Sequence, residues 1–236
     1  TVIEETSKSH GFNLRNRLSL TQQFKSGAQL GGSYLIATTR PRPTSSSIVN
    51  ETLSSFDKRS NMLAQEGTIK FSLPLNNRGT SMELTADYYN RHSDDNAIYL
   101  IDNELIGSQA DESNLNLWKV KADFLYPHSR KLAWKFGVSA QWITSEFTPS
   151  AVVESNRFEL SDIRTKTTGF TPIVYATAQG MVWKLRYSAG LNWQLNRIGY
   201  TDREQHVTNH NTQWSINPTV QVMMPFGARM NHAVML

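Results

Sequence analysis

The sequence predicts an all-β fold, an antiparallel up-and-down transmembrane β-barrel segment of about ten strands in five hairpins. Three observations predict it. Apolar and polar residues alternate at period two along most of the chain, which is a strand signal. The clearest run covers Trp183 to Leu195, whereas a soluble strand has about 5–6 residues and a membrane strand about 9–11 at a tilt of about 45°. Tight turns and long polar connections also alternate along the chain. Outer-membrane barrels show that rhythm, with short periplasmic turns and long extracellular loops.

The Trp183 to Leu195 run sets the pattern. Its odd positions are Trp183, Leu185, Tyr187, Ala189, Leu191, Trp193 and Leu195, and its even positions are Lys184, Arg186, Ser188, Gly190, Asn192 and Gln194. Trp stands near both ends of the apolar row, where an interfacial girdle places it. A soluble barrel or sandwich with its apolar face inward fits the same alternation. It has no physical reason to keep every long loop at one end.

In chain order, Gly11 to Phe24 sets Phe12, Leu14, Leu18 and Leu20 against Asn13, Arg15, Arg17 and Ser19, then turns at Lys25-Ser26-Gly27. Ala28 to Thr39 returns, and a polar loop stiffened by Pro41 and Pro43 runs to about Ser60. Gly67 to Leu73 and Met82 to Tyr88 form the next hairpin around Leu75-Asn76-Asn77-Arg78-Gly79, and an acidic loop spans Asn90 to Ser113, its Ala97 to Ile101 run read as a local strand or packed loop. Asn116 to Tyr126 and Leu132 to Thr144 follow, joined at Pro127 to Lys131, with a loop from Phe147 to about Thr168. Phe170 to Ala178 has Ile173 and Tyr175 where polar residues are expected, and Gln179-Gly180-Met181 is predicted to turn. Arg197 to Thr212 is a fourth long loop, Trp214 to Met224 a ninth strand, and Arg229 to Leu236 begins a tenth. On this count the first strand starts, and the last ends, on the long-loop side. Both ends are expected to be cut edges of a larger barrel, since complete bacterial barrels commonly keep both termini on the inner, short-turn side.

Composition removes other classes. Of 236 residues 39% are hydrophobic and the mean hydropathy is −0.46. No run approaches the ~20 apolar residues of a membrane helix, while a polar lumen lets a membrane barrel read this way. There is no cysteine, hence no disulfide or thiolate site. The net charge of +4 is spread without a Lys/Arg block, so no nucleic-acid partner is expected.

The run Leu185-Arg186-Tyr187-Ser188-Ala189-Gly190-Leu191-Asn192-Trp193-Gln194 resembles the aromatic, x, Ala-Gly-Leu-Arg-Tyr-Glu strand of the outer-membrane TonB-dependent receptors. Ile173-Val174-Tyr175-Ala176 looks like that family's preceding strand, and Trp214 to Val220 like its proline-bearing strand after a long loop. Asn192, Trp193 and Gln194 depart from the family's Arg, Tyr and Glu but keep the alternation. The resemblance implies that residues 1–236 are a partial barrel, with the plug and remaining strands absent. It implies a bacterial outer-membrane location and a receptor taking up a nutrient of the siderophore or glycan class. Its implied partners are membrane lipid, the plug and rest of the barrel, a TonB-type energy transducer and the nutrient solute.

Candidate chemistry is sparse, and no catalytic, cofactor or metal site is expected. Lys135, Lys184, Arg186, Asn192 and Gln194 are the candidates for a lumen-facing polar wall. His206 and His210 stand at i and i+4 near Glu204, in a stretch without helical period, so a solvated loop is expected. His92, Asp94 and Asp95 suggest the Asp and His at the rim of ten-stranded outer-membrane proteases, an enzyme alternative to the receptor. A soluble ligand-binding barrel is the other alternative. Asn50-Glu51-Thr52 matches a glycosylation sequon by pattern only.

Overall fold

A computed structural model describes residues 3–49, 52–153, 164–183, 185–202, 207–226 and 232–235. They form one sheet of ten strands: β1 Ile3–Gln23, β2 Gln29–Val49, β3 Thr52–Pro74, β4 Ser81–Ile101 and β5 Glu104–Ser129, then β6 Leu132–Val153, β7 Thr165–Val182, β8 Leu185–Asp202, β9 Val207–Phe226 and β10 His232–Met235. Each strand pairs antiparallel with its sequence neighbours, in the order β1 to β10. Among the described residues nothing pairs β1 with β10, so the sheet is open.

The register aligns the apolar faces of successive strands. One row runs Tyr34, Gly67, Tyr88, Trp118, Trp142, Phe170. A second runs Leu73, Met82, Phe124, Phe136, Ala176, Leu191, Pro218. These side chains are not packed against a second layer. No large side chain among the described residues is fully buried, and Trp134, Phe136 and Leu191 are 37%, 44% and 52% exposed. A soluble barrel would bury this face.

Aromatic residues mark two levels of the exposed face. Tyr88 meets Trp118 at 4.5 Å and Trp142 meets Phe170 at 5.2 Å between centroids. At the other level Trp134 stacks on Phe136 at 6.3 Å and Tyr126 lies in register with Trp134. Trp118 to Tyr126 and Trp142 to Trp134 each span about 26 Å along the strand at roughly 3.3 Å per residue. At a tilt of about 35–45° this projects to about 19–22 Å across the membrane, a little less than the apolar band of about 25 Å between the girdles of a membrane barrel.

The strands are longer than period-two alternation predicts. Among the described residues, the stretches expected as loops at 40–60, 90–113, 147–168 and 197–212 are in large part strand: β2 runs to Val49, β4 to Ile101, β6 to Val153 and β8 to Asp202. Beyond the apolar band both faces meet water, so the alternation that signals a strand fades while the backbone ladder continues. The hairpin predicted at Gln179-Gly180-Met181 also moves: β7 continues to Val182 and Trp183 carries the turn at φ 58°. Trp183 is thus 84% exposed at the sheet's end and outside the strand it was expected to open.

Local chemistry fixes the turns. Asn76 Oδ1 accepts hydrogen bonds from the Arg78 and Thr80 amides at 2.9 and 3.1 Å, the side-chain mimic of a turn. Gly79 follows at φ 88°. Asp102 and Asn103 at φ 50° and 66° make the two-residue turn of the β4–β5 hairpin, a conformation Asp and Asn tolerate. Asp102 also reaches β3: Leu53 N donates to its carboxylate and its own N donates to Leu53 O, both at 2.8 Å. Gly79→Ala is expected to lower stability by about 1–2 kcal/mol, the strain of a left-handed alanine. Chemical unfolding in detergent micelles measures it, and an unchanged midpoint contradicts the strain argument.

Candidate functional site

The face opposite the aromatic rows is polar and paired. Arg17 meets Glu66 at 3.8 Å and Lys70 meets Glu83 at 2.8 Å. Thr68 donates to Asp87 at 2.9 Å. Further along, Thr171 donates to Asn196, Gln194 donates to Asn196 at 2.7 Å, and Asn217 donates to Asn192 at 3.0 Å. Among the described residues no buried side-chain polar atom lacks a partner.

Of the predicted wall residues, Lys135, Arg186, Asn192 and Gln194 alternate with the exposed apolar positions of β6 and β8 and so share the polar face. Lys135 takes part in an ion pair, Asn192 and Gln194 in the amide ladder, and Arg186 is exposed. Lys184 lies outside the described residues.

The densest part of this face centres on Asp123 of β5, which is 7% exposed. Lys121 Nζ lies 2.8 Å and Lys135 Nζ 3.3 Å from its carboxylate. The Tyr175 hydroxyl donates to the same group from β7, across the intervening β6. Gly137 makes the crossing possible. It stands opposite both Asp123 and Tyr175. A Cβ there would overlap the Tyr175 ring and come within 2.6 Å of Asp123 Oδ1. Two ammonium groups on one carboxylate leave one positive charge on this polar face. Sequence reasoning noted Tyr175 as out of place but did not connect it to Asp123. The pairing requires the register of three strands, and the one available signal was a glycine in the polar row of the strand between.

Beyond the apolar band, β3 and β4 carry a second polar group on the same face. Lys58 Nζ lies 3.1 Å from Asp95, and Ser60 and Ser93 donate to that carboxylate. Partial burial alone would raise the Asp95 pKa. The Ser60 bond, the bond and charge of Lys58 and the Ser93 bond outweigh it and hold the group below its ordinary value.

The His92, Asp94, Asp95 cluster does not stay together. His92 Nε2 lies 3.2 Å from Asp94 Oδ1. Asp95 points to the opposite face, since neighbours on a strand alternate, and is occupied by Lys58 and Ser60. His210 is on β9 opposite Gly199. His206, Glu204, Asn50 and Glu51 lie outside the described residues.

Two predictions follow from these groups. Gly137→Ala is expected to cost about 1–3 kcal/mol, the range for overpacking a filled site. The cost should shrink in Gly137→Ala/Tyr175→Ala, because the overlapped ring is gone. Unfolding midpoints of the two single variants and the double variant test this, and strict additivity contradicts the contact. Asp95 has a folded pKa below its unfolded one, so its contribution is present above the unfolded value and lost as pH falls through the folded value. The stability gap between the native chain and Asp95→Asn should therefore close on acidification, and a gap independent of pH contradicts this.

Neither a family model nor a curated protein matches the sequence. Solved structures do match the fold. The siderophore receptor PiuA from Acinetobacter baumannii is 10% identical at a TM-score of 0.50, over 94% of this chain and 47% of that one. The ferripyoverdine receptor of the Pseudomonas aeruginosa outer membrane, solved bound to ferripyoverdine, is 10% identical at a TM-score of 0.51, over 94% and 40%. The FpvAI receptor in its complex with pyocin S2 gives 11% and 0.50, over 95% and 40%. The chain thus spans less than half the length of the receptors it matches. Its ten-stranded sheet has the fold of the barrel wall of outer-membrane siderophore receptors.

Proposed function

We propose that this chain is part of the barrel wall of a TonB-dependent receptor in a bacterial outer membrane. The single observation that supports this most is the two-sided sheet. A continuous exposed apolar face bounded by aromatic residues backs a polar face laced with ion pairs and hydrogen bonds, on which no buried polar atom among the described residues lacks a partner. That combination suits hydrocarbon on one side and water on the other.

On this reading Lys135, Lys184, Arg186, Asn192 and Gln194 line the hydrated interior with Lys121, Asp123 and Tyr175. The whole protein then adds a plug domain and the remaining strands, and takes energy from a TonB-type transducer. Its solute is a siderophore, the class named for the receptors of similar fold. The wall itself carries out no reaction: it excludes lipid, holds the plug and positions the outer ribbons that meet the solute.

Uptake of labelled ferric siderophores by cells with and without the intact gene tests the function. Uptake that requires both the gene and the energy transducer supports it. Gene-dependent uptake of a glycan instead would keep the receptor and change the solute. A chain that is monodisperse in plain buffer overturns the membrane assignment. Val138→Arg, in the middle of the apolar face, is expected to cost about 2–4 kcal/mol in lipid vesicles. Ser139→Arg, on the polar face, should cost far less. Equal costs would contradict the assignment of faces.

A further inference from the structure

We propose that His92, Asp94 and Glu112 form a site for a divalent transition-metal ion on the outer face of the β4–β5 ribbon, beyond the Tyr88–Trp118 pair. His92 and Asp94 sit at i and i+2 on β4, so they share a face. Glu112 stands directly opposite Asp94 on β5. One donor atom from each of the three lies within 4.8 Å of the other two. His92 Nε2 and Asp94 Oδ1 are already 3.2 Å apart. Zinc holds such donors at about 2.0–2.2 Å, which separates them by roughly 3–4 Å. A rotamer adjustment of the exposed Glu112 closes the remaining gap.

The backbone is already in place for this. β4 and β5 keep one register from Ser81–Leu125 to Tyr99–Gly107, so binding orders three side chains and no main chain. The charge balance also favours a cation. Asn61 and Asn114, opposite Asp94 and His92, and Thr148, opposite Glu112, are all neutral. The donor set selects the class of ion. One imidazole nitrogen and two carboxylates suit zinc, manganese and their neighbours, whereas calcium prefers oxygen alone. Three protein ligands leave the remaining positions to water. A bound ion would tie β4 to β5 outside the apolar band. Sequence reasoning predicted no metal site because Glu112 comes from the other strand of the hairpin, and only their pairing brings it in.

The test is zinc titration by calorimetry on the full chain in detergent micelles, after stripping with chelator. His92→Ala and Glu112→Gln are each expected to weaken binding at least about tenfold, and His210→Ala to leave it unchanged. Lowering the pH from about 7.5 to 5.5 should weaken it further, because protons compete for the donors. Glu112→Gln keeps the shape of the side chain, so it decides the matter if His92→Ala fails to fold. X-ray absorption of the zinc form should show a single imidazole ligand among oxygens. Unchanged affinity in Glu112→Gln, loss only in His210→Ala, or two imidazoles at the metal would each overturn the site.

Discussion

Backbone hydrogen bonds between neighbouring strands carry this structure, because among the described residues no packed interior joins one strand to the next. Each of β1 to β9 is held by a long antiparallel ladder to its neighbours in sequence. In hydrocarbon an unpaired amide or carbonyl costs several kcal/mol, which makes that ladder obligatory across the apolar band. The same ladder fixes parity. A slip of one residue would send every ring of a strand to the polar face and every lysine to the apolar one.

Parity in turn organises the two faces differently. The apolar face needs only to be apolar, and its rows accept Ala, Val, Leu, Trp or even the glycine and proline at Gly67 and Pro218. The polar face needs partners. There the contacts are specific, and most of them cross strands: Lys121 meets Asp123 within β5, Lys135 reaches it from β6, and Tyr175 reaches it from β7 over Gly137. Substitutions on the two faces should therefore have different consequences. On one side hydrophobicity is tested, and on the other the fit of individual groups.

The outer ribbons extend this logic past the band. Where water reaches both faces, hydrophobic alternation stops informing the sequence, yet pairing continues because Asp102 clasps Leu53 and each ladder bond extends the one before. Among the described residues, the four stretches read as loops are thus largely strand. The Trp183 turn was misplaced for a related reason. Trp183 prolongs the apolar alternation of β8, and the left-handed conformation it adopts leaves no mark in a period-two pattern.

What the sequence determined by itself was the fold class, the strand order, the short turns at Gly27 and Gly79 and, outside β7 and the Trp183 turn, the membership of each face. All of these are local, since a strand's period and its turn residues are written in consecutive positions. What only the tertiary structure decided was which groups meet: Asp123 with Tyr175, Asp95 with Lys58, and Glu112 with the His92–Asp94 pair. Those meetings depend on inter-strand register, a relation between residues far apart in the chain, and no local periodicity encodes it.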